Sequence, residues 1–409
     1  MTDTRWVRSP VGPADQHFAT RRDTKSVLVL VPHIVAGTRL LDLLPLLEAD
    51  HRVQVVFTNP EADENWQANH DFLHAQGGIV LPWPQARRST FNLVLAGSTR
   101  GIDDLTAPAM LVPHGGGFGQ YRTWSPPGAT DGPRSRLRTG LGPDQLMREG
   151  RTRAEAIILV HERERDLLAK VCPPALNTAV VAGDIALDRL TASLPYQDHY
   201  RRALGAADDQ HIVLVTSTWS PRSAFGRHPD LFDRVIAALP RERYRVVGAL
   251  HPQIWSHHSP WQIRSWLAGA LRAGLVLLPP EEGWRAALVA ADHVIGDYGS
   301  VTTYGAAAGA SVLLDHNPDQ PLLPGTPAAV LAEHTPHWDP RRPLIPQLRA
   351  ADHARDTTGL PTRIRRLLSS QPGQAGQILR RTMYGLLNIP EPGHAVPVSP
   401  MPLPKPVPA

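Results

Sequence analysis

The chain has 409 residues, 42% of them hydrophobic and 20% charged, with a formal net charge of +4. That length exceeds one ordinary domain and suits two or three, each able to bury a sizeable core. No run reaches about 18 uninterrupted apolar residues, so no transmembrane helix is expected, and residues 1–24 lack the apolar centre of a secretory signal.

Cys172 is the single cysteine, which excludes an internal disulfide and fits a reducing cytosol. The cationic side chains are nearly all arginine, with lysine only at Lys25, Lys170 and Lys405. Guanidinium groups suit phosphate and carboxylate partners, and the small positive excess permits peripheral contact with an anionic membrane surface. The 19 histidines are scattered, and no Cys/His spacing resembles a zinc site. His257-His258 reads as a solvated loop pair.

In chain order, residues 1–24 read as a loose tail. Short runs rich in Val, Ile and Leu then predict buried strands at 27–31, 53–57, 92–96, 109–112, 157–160 and 179–182. Intervening stretches such as 40–49 and 162–171 are long enough for helices. A polar stretch near 191–210 follows. The pattern then restarts, with strands at 212–216, 244–250, 275–278, 293–296 and 312–315 and helices at 229–239, 261–272, 283–291 and 301–309. This alternation is the signature of parallel sheets covered on both faces. The expected fold is α/β, with two Rossmann-like doubly wound domains, 25–190 and 191–389, facing a cleft. A Pro-rich tail, 390–409, is expected to be disordered. Between 115 and 153 no strand is evident, and six arginines fall between 134 and 153. This stretch reads either as a surface insertion or as a loop that meets an anionic acceptor or a membrane.

In open parallel sheets, ligands bind at the carboxyl ends of the strands. Four polar clusters follow predicted strands. In Asp297-Tyr298-Gly299-Ser300-Val301-Thr302, Gly299 permits a tight turn, Ser300 is a suitable helix N-cap, and the free N–H groups behind it attract an anion. Asp297 either accepts from ribose hydroxyls or orients the turn. The small residues from Gly305 to Ala310 let the following helix approach its strand. In Thr216-Ser217-Thr218-Trp219-Ser220-Pro221-Arg222, hydroxyls and a guanidinium suit phosphate or sugar, while Trp219 either stacks or covers the core edge. His251-Pro252 ends the strand 244–250. Finally, His114-Gly115-Gly116-Gly117-Phe118-Gly119 brings the backbone close to a ligand, with an imidazole able to take a hydroxyl proton. Each cluster also has a bland reading as a capped helix or a glycine-rich loop.

Sharper motifs are absent. There is no GxxxxGK[ST], no GxSxG nucleophile elbow to accompany the HGGG string, and no GxGxxG, since Gln120 stands at a required glycine. No basic heptad helix or aromatic RNA-binding pattern occurs, so nucleic acid is not an expected partner.

The strings Pro113-His114-Gly115, Ser217-Thr218-Trp219-Ser220, Leu250-His251-Pro252 and Ile295-Gly296-Asp297-Tyr298-Gly299-Ser300-Val301 occur in an order that resembles the CDP-glycerol glycerophosphotransferase family, the teichoic acid polymerase type with a GT-B fold. Val181-Ala182-Gly183-Asp184 through Leu187-Asp188 also resembles the crossing into the second domain of GT-B enzymes. The likeness covers roughly residues 100–315. It implies a nucleotide-activated donor, CDP- or UDP-linked, and an acceptor hydroxyl. It also implies a cytoplasmic enzyme of envelope synthesis with peripheral membrane contact. The donor pyrophosphate would sit on the helix start at Gly299, Ser300, Val301 and Thr302, beside Ser217, Thr218, Trp219, Arg222 and Asp297. His251 would contact the donor phosphates, and His114 would act as base beside the acceptor loop Gly115, Gly116 and Gly117. No metal or cofactor is implied. Gly299 stands where the family has a second Ser, and Gly116-Gly117 where it has Thr-Pro. Two other readings keep the same donor site: a glycosyltransferase or sugar-nucleotide epimerase, and a non-catalytic nucleotide-binding scaffold.

Overall fold

The structure, a computed structural model, describes residues 6–11, 20–60, 66–113, 115–116, 140–320, 322–396 and 398–407. They form two compact units. The first holds the described residues before 187 together with those of 370–398; the second holds 187–369 and those from 399 on.

In the first unit, β1 (Lys25–Leu30), β2 (Val53–Thr58), β3 (Val80–Leu81), β4 (Leu93–Ala96) and β5 (Ala109–Leu111) precede a short antiparallel hairpin, β6 (Met147–Arg148) and β7 (Arg151–Thr152). Then come β8 (Ala156–Leu159) and β9 (Ala179–Val181). Seven of these strands form one parallel sheet in the order β3-β2-β1-β4-β5-β8-β9. Alternate residues feed opposite faces. Val27, Val29, Leu93 and Leu95 enter one apolar cluster, and Leu28, Leu30, Val94 and Ala96 enter the other. Burial on both faces is why these strands read as unbroken apolar runs.

The second unit has β10 (His211–Ser217), β11 (Tyr244–Leu250), β12 (Val276–Leu277), β13 (His293–Gly296) and β14 (Ser311–Leu314), all parallel, in the order β12-β11-β10-β13-β14. The winding reverses between β10 and β13. Loops leaving the two strands therefore diverge at their carboxyl ends, where a doubly wound sheet opens a crevice. The helix Ser300–Ala308 starts directly after β13. A Cβ on Gly305 would lie 2.7 Å from Val294 Cγ2, so only glycine lets this helix approach its strand so closely.

All the predicted strands occur within two residues of expectation; the short edge strand β3 and the hairpin were not anticipated. The polar stretch after 190 is largely helical, from Ile185–Ser193 and Gln197–Ala203. The stretch between 140 and 153 is ordered as a helical turn, Pro143–Leu146, and the hairpin. Arg148 lies 2.8 Å from the Asp103 carboxylate, and Arg153 bonds to the same oxygen, which engages, within the chain, two of the six arginines between 134 and 153. Residues 117–139 of that stretch lie outside the described residues.

Neither tail is loose where it is described. Val11 is buried in the first unit's core, and the Val7 N–H donates to Gln85 at 2.9 Å. The helix Ala375–Leu387 returns to the first unit and buries Leu379, Met383, Tyr384 and Leu387 with Leu43, Leu46 and Leu47. There the Tyr384 hydroxyl donates to Asp50 at 2.9 Å, and Arg52 meets the same carboxylate oxygen at 2.7 Å. The expected disorder from 390 is also overturned. Arg52 donates to the Pro390 carbonyl at 2.9 Å and Arg380 to that of His394 at 2.9 Å. In the second unit, Tyr200 donates to the Met401 carbonyl at 2.7 Å, and the Val407 N–H reaches Leu277 at the sheet edge at 2.8 Å. Proline-rich chain needs no internal ladder, so it lies down wherever neighbours supply donors and acceptors. Among the described residues no helix is long and apolar enough to cross a membrane.

Candidate functional site

The switch point between β10 and β13 is held by one carboxylate. Asp297 follows β13 and is 5% exposed. Its Oδ2 accepts from the Thr218 N–H at 2.9 Å, the Thr218 hydroxyl at 2.8 Å and the Ala224 N–H at 3.0 Å. Its Oδ1 accepts from the Gly299 N–H at 3.3 Å. Burial and the nearby Asp315 push the Asp297 carboxyl above its ordinary value, while these donors pull the other way. Of its two sequence-level roles, these contacts match orientation of the turn and leave its oxygens engaged within the protein.

The loop after β10 is closed by its own hydroxyls. Ser217 Oγ donates to the Thr218 carbonyl at 2.9 Å and accepts from the Phe225 N–H at 2.9 Å. Trp219 is 52% exposed and so does not cover the core edge. Its ring centroid lies 6.1 Å from that of His257, with 28° between planes, and 6.5 Å from that of His251. His257 and His258 sit on the helix Pro252–Trp266 rather than in a loop, and both are exposed. Arg222 is exposed on the same loop as Trp219, and its carbonyl accepts from Asn317 at 3.4 Å.

At the helix start the expected cap is displaced by one residue. Gly299, not Ser300, is the N-cap, with φ −71° and ψ 158° and no side-chain cap bond. Ser300 is the first helical residue, so its half-buried hydroxyl is not spent on capping. The N–H groups of Ser300, Val301 and Thr302 precede the first intrahelical bond. Thr302 contributes to the helix start through its backbone. Among the described residues its hydroxyl is fully buried without a hydrogen bond and faces Gly296, so its side chain adds no exposed polar group at the turn. A Cβ on Gly299 would meet Thr218 Cγ2 at 2.9 Å, which explains why no larger residue stands there.

His251 ends β11 and caps the helix Pro252–Trp266, its Nδ1 accepting from the Gln253 N–H at 3.1 Å. In the neutral tautomer this places the proton on Nε2. His114 and Gly117 lie outside the described residues. Gly115 and Gly116 belong to the first unit, Gly115 with φ +135°, a conformation glycine alone adopts readily.

The residues after β14 also belong to this end of the sheet, although no cluster was expected there. Asp315 is buried and takes the Arg227 guanidinium at 2.5 Å and His228 Nε2 at 3.3 Å. Arg227 also donates to the His316 carbonyl at 3.1 Å. The Tyr298 hydroxyl is hydrogen-bonded to His316 Nδ1, and the His316 ring stacks on His337 at 4.1 Å with 4° between planes. Burial pushes Tyr298 up to about 12; burial, His337 and Arg227 hold His316 below its ordinary value. The strand-end rule applied to 312–315 would have flagged Asp315-His316-Asn317.

No protein-family model matches the sequence, and no curated protein matches it. Solved structures do. A variant of the wall teichoic acid polymerase TagF superimposes with a TM-score of 0.61 at 11% identity, covering 90% of each chain. A second TagF variant, soaked with CDPG, gives 0.58 at 11% identity over 90% of each chain. UDP-GlcNAc 2-epimerase from Neisseria meningitidis, bound to UDP-GlcNAc, gives 0.50 at 13% identity, covering 89% of this chain and 100% of that one. The chain thus has the GT-B fold of these enzymes.

Proposed function

We propose that the protein is a GT-B transferase that moves glycerol phosphate, or a similar group, from a nucleotide-activated donor such as CDP-glycerol to an acceptor hydroxyl. One observation carries the reading: Asp297 ties the β10 loop to the β13 turn at the switch point, and the N–H groups of Ser300, Val301 and Thr302, which precede the first intrahelical bond, begin there. A helix start of this kind favours a pyrophosphate. The fold neighbour soaked with CDPG supports the choice of donor.

The roles are those that the resemblance implies. The Ser300 hydroxyl and the three N–H groups bind the pyrophosphate, and His251 Nε2–H donates to it. Trp219 and Arg222 flank the nucleotide, and Ser217, Thr218 and Asp297 hold the loop that carries them. In the transfer, the acceptor oxygen attacks the phosphorus that bears glycerol and forms a new P–O bond. The bridging P–O bond breaks, and its electron pair leaves with CMP. The hydroxyl proton passes to His114, whose loop supplies Gly115, Gly116 and Gly117 around the acceptor. Catalysis is then positioning plus electrostatic stabilisation.

The neighbour bound to UDP-GlcNAc supports a second reading, in which the donor is a UDP-sugar and bond breaking occurs at carbon. Incubating the protein with CDP-glycerol and UDP-GlcNAc, and scoring nucleotide release and sugar epimerisation, separates the two. CMP release that is lost in His114→Ala and His251→Ala supports the transferase. UDP release or epimerised sugar supports the second reading. Binding of either conjugate without turnover leaves a scaffold.

A further inference from the structure

The cluster at the end of β14 takes no part in the transfer just described. His316 follows β14 as Tyr298 follows β13, and these strands pair in register from His293 opposite Ser311 to Gly296 opposite Leu314. The imidazole therefore stands beside the turn, bonded through Nδ1 to a tyrosine two residues before Ser300. On its other side lies the exposed His337 ring, parallel to it at 4.1 Å. Arg227 approaches its carbonyl, and Asp315, with His228 against the same carboxylate, completes the charged surroundings.

These groups set opposing demands. Two imidazoles in face-to-face contact resist carrying two protons, and the Arg227 cation adds to that resistance. The Asp315 carboxylate favours a proton, but Arg227 and His228 already share it. His316 is thus held short of a proton while the site is empty of negative charge. Bringing a diphosphate to the helix start reverses the local field and favours an imidazolium.

We propose that the stacked His316–His337 pair is a proton-linked part of the anion site, taking up one proton as the diphosphate of a nucleotide conjugate binds at the Ser300 helix start. The proposal rests on the nucleotide-donor reading. The chemistry differs from that of a fixed arginine. An imidazolium exists while the diphosphate is bound, and its proton returns to solvent when the product leaves. Linked uptake of one proton also makes affinity rise as pH falls, by at most about tenfold per unit.

The test is calorimetric titration with CDP-glycerol and with UDP-GlcNAc, each in two buffers of different ionisation enthalpy. Neither diphosphate diester titrates near neutrality, so proton uptake belongs to the protein. The wild type should take up as much as one proton, with affinity rising between about pH 8 and pH 6. His316→Gln should bind more weakly, with uptake abolished. His337→Ala, a change at an exposed ring, should move the midpoint of uptake to higher pH by removing the competing imidazole. Ser300→Ala should weaken binding yet keep the uptake. Equal uptake by wild type and His316→Gln overturns the proposal, as does tight wild-type binding with no uptake; both leave the donor reading standing. Failure of the wild type to bind either conjugate overturns both.

Discussion

Asp297 and Thr218 are 79 positions apart in sequence, yet one carboxylate oxygen of Asp297 takes both the backbone N–H and the hydroxyl of Thr218. This single residue welds the two loops at which the sheet of the second unit changes direction. Asp297→Asn keeps the shape but turns an acceptor-only group into one with an amide that meets donors. A buried bond to a charged group contributes about 1.5–3 kcal/mol, so loss of about that amount is expected. Thermal unfolding followed by circular dichroism should show a drop of several degrees, and an unchanged midpoint would remove Asp297 from its clamping role.

Gly299 and Thr218 offer a sharper test. Gly299→Ser introduces a hydroxyl at the turn but sets a Cβ 2.9 Å from Thr218 Cγ2. Overpacking of this kind costs about 1–3 kcal/mol. Thr218→Ser removes that methyl group while keeping the hydroxyl on Asp297. The double variant should therefore recover about 1 kcal/mol relative to additivity in urea unfolding. Strict additivity would show that the close approach does not constrain the site.

Ser300→Ala should reduce affinity for CDP-glycerol about tenfold, or about 1.4 kcal/mol, with stability unchanged. The stability half of this expectation follows from the cap: Gly299 occupies it, so the hydroxyl supports no fold contact there. Titration of the variant beside wild type checks both halves, and full affinity would move the phosphate away from this helix start.

Trp219→Ala separates stacking from packing. The ring is 52% exposed, so the change in unfolding free energy should stay within about 0.5 kcal/mol. If the indole stacks on a base, affinity for the conjugate falls by about 1–3 kcal/mol. Lost stability with intact binding would reverse the assignment.

Asp50 predicts an acid response in the first unit. Arg52 and the Tyr384 hydroxyl hold its carboxyl well below the ordinary range. Such a group stabilises the fold above its unfolded value, about 3.9, and that contribution is lost as pH falls toward the folded value. Wild type should therefore exceed Asp50→Asn in unfolding free energy at pH 5, with the gap closing progressively below pH 4. A gap independent of pH would mean that the ion pair contributes nothing in the folded state.

The sheets were legible because parallel strands buried on both faces, such as Leu28-Val29-Leu30, leave continuous apolar runs. The edge strand Val80–Leu81 is too short to leave a pattern. The turn after β13 was legible as a strand-end cluster, but the capping register was not, since Ser300 is a better intrinsic cap than the glycine that holds the position. Packing against Thr218 decides that register, and such a contact between distant segments leaves no local trace. Likewise the burial of the Thr302 hydroxyl against Gly296 leaves no local trace in the sequence. The bonds of Arg148 and Arg153 to Asp103 were hidden for the same reason: a charge reads as available until its distant partner is found.

The return of the helix Ala375–Leu387 to the first unit has a consequence for synthesis. A ribosome that has finished residue 369 has made every strand of both sheets, yet the hydrophobic wall of Leu43, Leu46 and Leu47 still waits for Leu379, Met383 and Leu387. The half of the protein that is translated first is therefore completed only after every strand of the other half has been made. Between those two moments it presents an open apolar face, the period in which a chaperone would find it.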